Sequence, residues 1–231
     1  MNLFLCCLLA AAVAYLLGSI SFAVIFSRLL DHDDVRLHGS GNAGMTNMLR
    51  TYGVKQAALV CLGDFGKGIL AVVFARLLFG WAGITVMDGG YVGGFFVLLG
   101  HLFPLYFGFR GGKGVLTSAG IMLMLNPVVF LCLVPPIVAL ILITRIVSLG
   151  SIVAAVIYPI LTYVVLTLQG RPAALDTLFA ALIGVIVIFM HRSNIKRLLN
   201  GTENRFSRKP KGPQPEQPSA APQQNVQNKE D

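Results

Sequence analysis

The sequence predicts an all-α polytopic membrane protein, a bundle of seven transmembrane helices with the N-terminus outside and the C-terminus in the cytoplasm. Hydrophobic residues make up 55% of the 231-residue chain and charged residues only 12%, about half the share usual in soluble domains. The runs 114–144 and 146–170 contain no charged residue, as a membrane core requires. Seven of the 18 lysines and arginines fall between Arg192 and Lys211, directly after the last apolar run, which is typical of a cytoplasmic flank.

The positions of the basic loops set the number of crossings. The regions near 31–52, near 108–114 and after 190 are all basic and are expected in the cytoplasm. Between the second and the third of these regions the chain must cross an even number of times, which requires a break at Asn126-Pro127, where proline disfavours a continuous helix. The seven apolar segments are then 3–30, 54–80, 89–107, 115–125, 127–143, 147–168 and 174–190.

Three of these segments have special features. The first has no lysine or arginine before Arg28, so we expect a membrane anchor rather than a cleaved signal peptide. The second is interrupted by the polar stretch 64–68. The fourth, at ~1.5 Å per residue, reaches only about half-way through a ~30 Å hydrocarbon core, so we expect it to start earlier, to tilt or to be re-entrant.

Composition also divides the chain and excludes several classes. Residues 1–204 form the predicted integral-membrane domain, and residues 205–231, rich in Pro, Gln, Asn and Lys, form a predicted disordered cytoplasmic tail. The net charge of +8 lies at the ends of apolar runs, which argues against a nucleic-acid partner. The four cysteines lie inside apolar segments without CxxC spacing, so neither a disulfide, a metal site nor a cofactor is predicted.

The first loop contains a polar block that favours anion binding. Three glycines within residues 39–44 allow backbone N–H groups to point inward as an anion nest, whereas a purely flexible loop would need no further polar groups at fixed spacing. The block contributes the candidate substrate-binding residues Ser40, Gly41, Asn42, Thr46, Asn47 and Arg50.

Two further blocks lie inside or beside apolar segments. Asp64 and Lys67 are three residues apart and can pair on one helix face, either to hold the helix or to line a wet cavity. The Gly-Gly-Lys-Gly run before the fourth segment is typical of a phosphate cradle at a helix N-terminus, although it lacks Walker A spacing. Its candidate residues are His101, Gly111, Gly112, Lys113 and Thr117. A lone histidine near a membrane end is more often a helix-capping or packing residue than a base.

The fourth block follows the last apolar segment. His191, Arg192 and Asn194 stand at the membrane boundary and suit a site. Lys196 and Arg197 suit a basic helix that meets anionic lipid.

Taken in order, the blocks GSGNxGxTN, DxxKG, GHxFPxxxxFxGGKGVxT and HRxNIxRLLxGTE resemble those of the acyl-phosphate:glycerol-3-phosphate acyltransferase family over about residues 10–204. One departure is Ala43, where proline is common in that family. The resemblance implies a seven-helix bundle in the bacterial inner membrane with its active site facing the cytoplasm. It implies transfer of a fatty acyl group from acyl-phosphate to the 1-hydroxyl of glycerol-3-phosphate, giving lysophosphatidic acid and phosphate for phospholipid synthesis.

Roles follow from the matching positions. His191, Lys113 and Asn194 are the expected catalytic residues, and Lys67 with Asp64 is expected to support the site. The expected partners are the two substrates, membrane lipid and the soluble enzyme that makes acyl-phosphate. The expected substrate-binding residues are Ser40, Gly41, Asn42, Thr46, Asn47, Arg50, Asp64, Lys67, His101, Gly111, Gly112, Thr117 and Arg192.

Missing motifs bear on the chemistry. No histidine is followed by an aspartate five residues later, as acyl-CoA-dependent glycerol-phosphate acyltransferases require, and no G-x-S-x-G elbow occurs. Direct attack without an acyl-enzyme is therefore expected, with either a phosphate oxygen of the donor or His191 taking the proton. A transporter or channel for a phosphorylated small molecule is the alternative, although no inverted repeat is seen.

Overall fold

The computed structural model describes residues 1–205, which form ten α-helices and no strand. Apart from Arg205, the predicted tail lies outside the described residues. Two short 3-10 turns, Val35–Leu37 and Leu105–Phe107, lie in the polar loops. The helices are α1 Leu3–Gly18, α2 Phe22–Leu30, α3 Met45–Thr51, α4 Val54–Trp81, α5 Gly89–Leu102, α6 Val115–Leu125, α7 Pro127–Thr144, α8 Val147–Leu168, α9 Ala174–Met190 and α10 Arg192–Leu199.

All seven predicted apolar segments are helical, but they differ in their capacity to cross a membrane. Within the described part of the chain, α9 and α10 together form a candidate span bent by 62°, and α6, with 11 residues, is only about 16 Å long. The count of seven crossings therefore stays a prediction. The five segments that are long and apolar enough alone are Leu3–Leu30, Val54–Trp81, Gly89–Phe107, Pro127–Thr144 and Val147–Leu168.

The polar stretch 64–68 interrupts the apolar run of the second segment but not its helix, and Asp64 and Lys67 pair on one helix face as predicted. The second apolar segment is one uninterrupted helix through residues 64–68, whereas the first is broken at 19–21. Buried Lys67 explains both results, because its Nζ donates to the carbonyls of Gly18 at 3.0 Å and Ile20 at 2.8 Å and lies 2.9 Å from Asp64 Oδ1. The polar stretch in α4 thus stabilises a break in its neighbour.

Small residues let the shorter helices pack closely against α4. A Cβ on Gly93 of α5 would lie 2.4 Å from the Ala71 carbonyl oxygen, and one on Gly120 of α6 would lie 2.2 Å from that of Phe65. Small residues at these positions therefore allow the helix backbones to approach closely.

Polar contacts surround the C-terminal end of α6. At its C-terminal end, Arg76 donates to the Met124 carbonyl at 2.6 Å and forms an ion pair with Asp88, and Asn126 donates to Asp176 at 2.9 Å. At its N-terminal end lies the glycine-rich loop that contains Lys113. The short helix thus connects this group of polar contacts to the glycine-rich loop.

The three basic regions converge on one end of the bundle. Arg36 of the first loop donates to the Phe107 carbonyl at 2.7 Å, and Arg50 donates to the Asn204 carbonyl at 3.1 Å. The crossing count assumed that these regions share one side of the membrane, and the structure places them together.

Candidate active site

A cavity of about 420 Å³ opens among the first loop, the glycine-rich loop and helices α6–α9. Its two ends differ in chemistry, because polar groups from the loops and helix ends line one end and apolar side chains line the rest. The predicted site residues that line it are Ser40, Asn42, Thr46, Asn47, Arg50, Asp64, His101, Lys113, His191 and Asn194.

Asn47 shapes the first loop around the polar end. Its Oδ1 accepts a hydrogen bond from the Ser40 N–H at 3.0 Å, while its Nδ2 donates to the carbonyls of Val35 at 2.9 Å and His38 at 3.0 Å. The Asn47 amide is therefore used to hold the loop in shape. The side chains of the loop that can contact a ligand in the cavity are those of Ser40, Thr46 and Arg50.

A network of charged groups forms the centre of the polar end. Lys113 Nζ donates to Asn194 Oδ1, and Asn194 Nδ2 donates in turn to Glu203 Oε1 at 2.9 Å. Arg197 Nε donates to the other Glu203 oxygen at 2.8 Å. Glu203, which follows α10, thus lies against the cavity. Through Asn194 it is linked to Lys113 of the glycine-rich loop.

Burial sets the charge state of this network. Desolvation, reinforced by neighbouring Arg197 and Arg50, lowers the pKa of Lys113 to about 8. Burial alone would raise the pKa of Glu203, but polar contacts from Asn194, Arg197 and Ser148 outweigh it and lower that pKa. Around neutral pH the site therefore holds an ionised carboxylate among three cations.

His191 occupies the bend between α9 and α10. It is buried, and its Nδ1 lies 2.8 Å from the Val187 carbonyl oxygen. A carbonyl can only accept, so Nδ1 carries the hydrogen of the neutral ring and Nε2 keeps a lone pair. The bend therefore places a hydrogen-bond acceptor in the cavity wall.

Asp64 and His101 connect the cavity to the break in the first segment. His101 Nδ1 lies 3.4 Å from Asp64 Oδ1, on the carboxylate that also pairs with Lys67. His101 further packs against the glycine-rich loop, since a Cβ on Gly112 would lie 2.2 Å from its Nε2. Only glycine fits at that position.

Six predicted substrate-binding residues do not line the cavity. Arg192 is exposed, donates to the Phe189 carbonyl and lies 4.8 Å from the Phe189 ring. Lys67 is occupied at the break, and Thr117 is buried beside Gly68 of α4. The other three are loop glycines, of which Gly112 donates to the His101 carbonyl at 3.2 Å. The six residues are Gly41, Lys67, Gly111, Gly112, Thr117 and Arg192.

Several cavity residues were not predicted. Glu203 stood in the fourth motif as a single carboxylate in a basic stretch, and that contrast was the available signal. Arg197 was interpreted as lipid-facing, but it binds Glu203. Ser118, Ser148 and Ser151 line the cavity from apolar helices, where an isolated serine carries no sequence signal.

The apolar part of the cavity is a groove among four helices. Its inner end is formed by one buried side chain from each helix, namely Met122, Leu133, Tyr158 and Ile183. Tyr158 follows Ser148 by ten residues on α8, so the groove extends about 15 Å from the polar end. A ligand with an anionic head and an apolar tail fits this shape.

The fold and the site together define an integral membrane protein whose cavity joins a charged polar end to an apolar groove. The chain belongs to the glycerol-3-phosphate acyltransferase family, whose model matches residues 8–201. The resemblance drawn from the four motifs is thereby confirmed, and the chain is placed among acyltransferases of phospholipid synthesis.

Individual relatives cover nearly the same length. A glycerol-3-phosphate acyltransferase of Clostridioides difficile strain 630 is 43% identical over 202 residues, covering 87% of this chain and 96% of the relative. One of Pseudomonas aeruginosa PAO1 is 46% identical over 198 residues, covering 86% and 98%.

Solved structures agree with this relationship. The crystal structure of PlsY (YgiH), an integral membrane glycerol 3-phosphate acyltransferase, in its glycerol 3-phosphate form matches with a TM-score of 0.74 and 38% identity, covering 87% of this chain and 96% of PlsY. Its lysophosphatidic acid form matches with a TM-score of 0.72 and 37% identity.

Proposed function

We propose that this protein transfers a fatty acyl group from acyl-phosphate to the 1-hydroxyl of glycerol-3-phosphate and releases lysophosphatidic acid and phosphate. The observation that carries the proposal is the continuity of the cavity, in which the network around Lys113 leads directly into the apolar groove. Acyl-phosphate has this form, with a phosphate head joined through a carbonyl to an alkyl tail. Glycerol-3-phosphate adds a second phosphate, for which Arg50 and Ser40 supply donors.

The chemistry needs positioning and charge stabilisation more than a nucleophilic side chain. Acyl-phosphate is a mixed anhydride with a good leaving group, so the enzyme has to align hydroxyl and carbonyl and neutralise the departing phosphate. We infer direct attack, with the hydroxyl proton passing to a phosphate oxygen of the donor or to His191 Nε2. Lys113 and Asn194 then bind the leaving phosphate.

The membrane arrangement follows from the same proposal. We place the chain in the bacterial inner membrane with seven crossings, the N-terminus outside and the polar end of the cavity facing the cytoplasm. Glycerol-3-phosphate then reaches the site from water, while the acyl tail enters from lipid. A soluble enzyme that makes acyl-phosphate would deliver its product to this end.

The direct test is an assay with purified protein. Phosphate release and lysophosphatidic acid are measured with acyl-phosphate and glycerol-3-phosphate, together and singly, beside acyl-CoA and acyl-carrier-protein donors. Release that requires both substrates and only the acyl-phosphate donor supports the proposal. If well-folded protein releases nothing with any donor, the proposal fails and flux assays in vesicles become the next measurement.

A pH dependence follows from the lowered pKa of Lys113. Below about pH 8 its ammonium is charged and binds phosphate, and above that pH it is neutral. Substrate phosphates are already mostly dianionic at neutral pH, so kcat/KM should fall as the pH rises through about 8. The residual activity of Lys113→Arg, whose side chain stays charged, should lack this decline.

The groove predicts how chain length is selected. Tyr158→Ala should remove the largest side chain at its inner end and shift the preference toward longer acyl-phosphates, measured as the ratio of kcat/KM for a long and a short donor. Tyr163→Ala is the matched control, because Tyr163 lies on the same helix with 56% of its surface exposed. An unchanged ratio in Tyr158→Ala would mean that the tail leaves the groove sideways into lipid.

A further inference from the structure

One polar side chain interrupts the apolar face that α6 presents to the cavity. The residues of α6 that line the cavity include Val115, Ser118, Ala119 and Met122. They share one face of the helix because they are three or four residues apart. Ser118 lies about 4.5 Å along the axis from the first residue of α6, and Met122 lies about 6 Å deeper. Ser118 is therefore at the level where the polar end meets the groove.

The Ser118 hydroxyl differs from other helical hydroxyls of the protein. The hydroxyls of Ser27, Ser151 and Thr162 each donate to a backbone carbonyl three or four residues earlier, at 3.2, 3.0 and 2.8 Å. Ser118 Oγ has no partner, although only 7% of the residue's surface is exposed. A buried hydroxyl without a partner costs about 1–3 kcal/mol, so its place in a cavity wall points to a ligand.

The other buried hydroxyls without a bonded partner within residues 1–205 are in different surroundings. They are Thr117, Ser148 and Thr177. Thr117 and Thr177 do not line the cavity. Ser148 lies beside the Glu203 carboxylate and contributes to lowering its pKa. Ser118 is thus the hydroxyl available to a substrate at the level where head and tail join.

We propose that the Ser118 hydroxyl donates a hydrogen bond to the carbonyl oxygen of the acyl donor and stabilises the negative charge that develops there. This inference rests on the proposed function. With the donor phosphate at Lys113 and its alkyl chain beside Met122, the carbonyl that connects them lies next to Ser118. The reaction needs a donor at that oxygen more than at any other substrate atom, because the charge appears there only during transfer.

The step balances without a further reactant. The 1-hydroxyl oxygen of glycerol-3-phosphate forms a bond to the acyl carbon, and the carbonyl π electrons move to the oxygen that faces Ser118. When that oxyanion collapses, the bond from the acyl carbon to the bridging phosphate oxygen breaks, and phosphate leaves with the electron pair. The hydroxyl proton ends on phosphate, directly or through His191, and Ser118 keeps its own proton throughout.

Ser118→Ala tests this role. We expect kcat to fall about a hundredfold, with little change in KM for glycerol-3-phosphate. The inhibition constant of an alkyl phosphate of the same chain length, which has no carbonyl, should stay the same. Ser118→Thr keeps the hydroxyl and should recover most of the rate. The melting temperature of Ser118→Ala should not fall, since the change removes an unpaired buried hydroxyl.

Thr162→Val is the matched control, because Thr162 is also a buried helical hydroxyl but lies outside the cavity and donates to the Tyr158 carbonyl. It should retain nearly the wild-type kcat. A wild-type kcat in Ser118→Ala, or an equal loss in both variants, would overturn the inference. A weaker affinity for alkyl phosphate in Ser118→Ala would do so as well, because it would assign Ser118 to the phosphate or the groove wall. In each case wild-type turnover of acyl-phosphate shows separately that the proposed function holds.

Discussion

Lys113→Ala should lower kcat/KM for phosphate release by about a thousandfold or more. The ammonium group lies in the loop before α6 and donates to Asn194, so in the proposed reaction it would meet the leaving phosphate without reorganisation. Its removal also leaves the cavity with the Glu203 carboxylate facing an incoming anion. The measurement is steady-state release of phosphate with both substrates varied.

Two companion variants separate charge from geometry. Lys55→Ala removes an exposed lysine from the start of α4 that does not line the cavity, and it should leave kcat/KM within about twofold of wild type. Lys113→Arg keeps the charge but not the compact ammonium and should be intermediate. Wild-type rates in Lys113→Ala would remove the charged network from the mechanism.

Hydropathy predicted most of the fold because each apolar segment carries its own signal. The predicted bounds of the last four segments agree with α6–α9 to within one residue. The break in the first segment could not be predicted in this way, because the donor that satisfies its free carbonyls comes from Lys67, 47 residues beyond Ile20. Local sequence showed a charged stretch in α4 but not which helix it would break.

The site was predicted where the motif residues themselves meet the cavity. Arg192 does not line the cavity for a reason of helix geometry: positions 191 and 194 are three apart and share a face, whereas position 192 is turned by about 100° from its neighbour. Ser118 and Tyr158 could not be found in the sequence, since their importance depends on which helix faces lie opposite one another. Motifs therefore identified the residues at the polar end of the cavity, and packing was needed to reveal the groove.

The helix breaks explain how a membrane bundle acquires such a site. Lys67 supplies donors to the carbonyls left free at the first break, while at the bend after α9 the His191 side chain occupies the cavity wall. Backbone groups freed inside a membrane must find partners within the protein. Lys67, which satisfies the carbonyls of the first break, pairs with Asp64, and Asp64 lines the cavity. The ion pair that supports the break therefore also belongs to the cavity wall.

Lys67→Met should therefore destabilise the protein by about 3–5 kcal/mol, because it leaves the Asp64 charge buried without its partner and the Gly18 and Ile20 carbonyls without a donor. The measurement is thermal or denaturant unfolding in detergent, with Lys55→Met as the exposed control. Activity should fall with it, since the break positions α2 and the loop containing Ser40.

The double variant Lys67→Met, Asp64→Asn distinguishes the contribution of the ion pair with Asp64 from that of the hydrogen bonds to the Gly18 and Ile20 carbonyls. Neutralising Asp64 removes the uncompensated charge, so the double variant should be more stable than Lys67→Met alone. The carbonyls at the break still lack a donor, so it should not reach wild-type stability. Full recovery would mean that the ion pair is the whole effect and that the break holds without Lys67. Wild-type stability in Lys67→Met itself would overturn this account, because it would show that neither the Asp64 carboxylate nor the Gly18 and Ile20 carbonyls depend on Lys67.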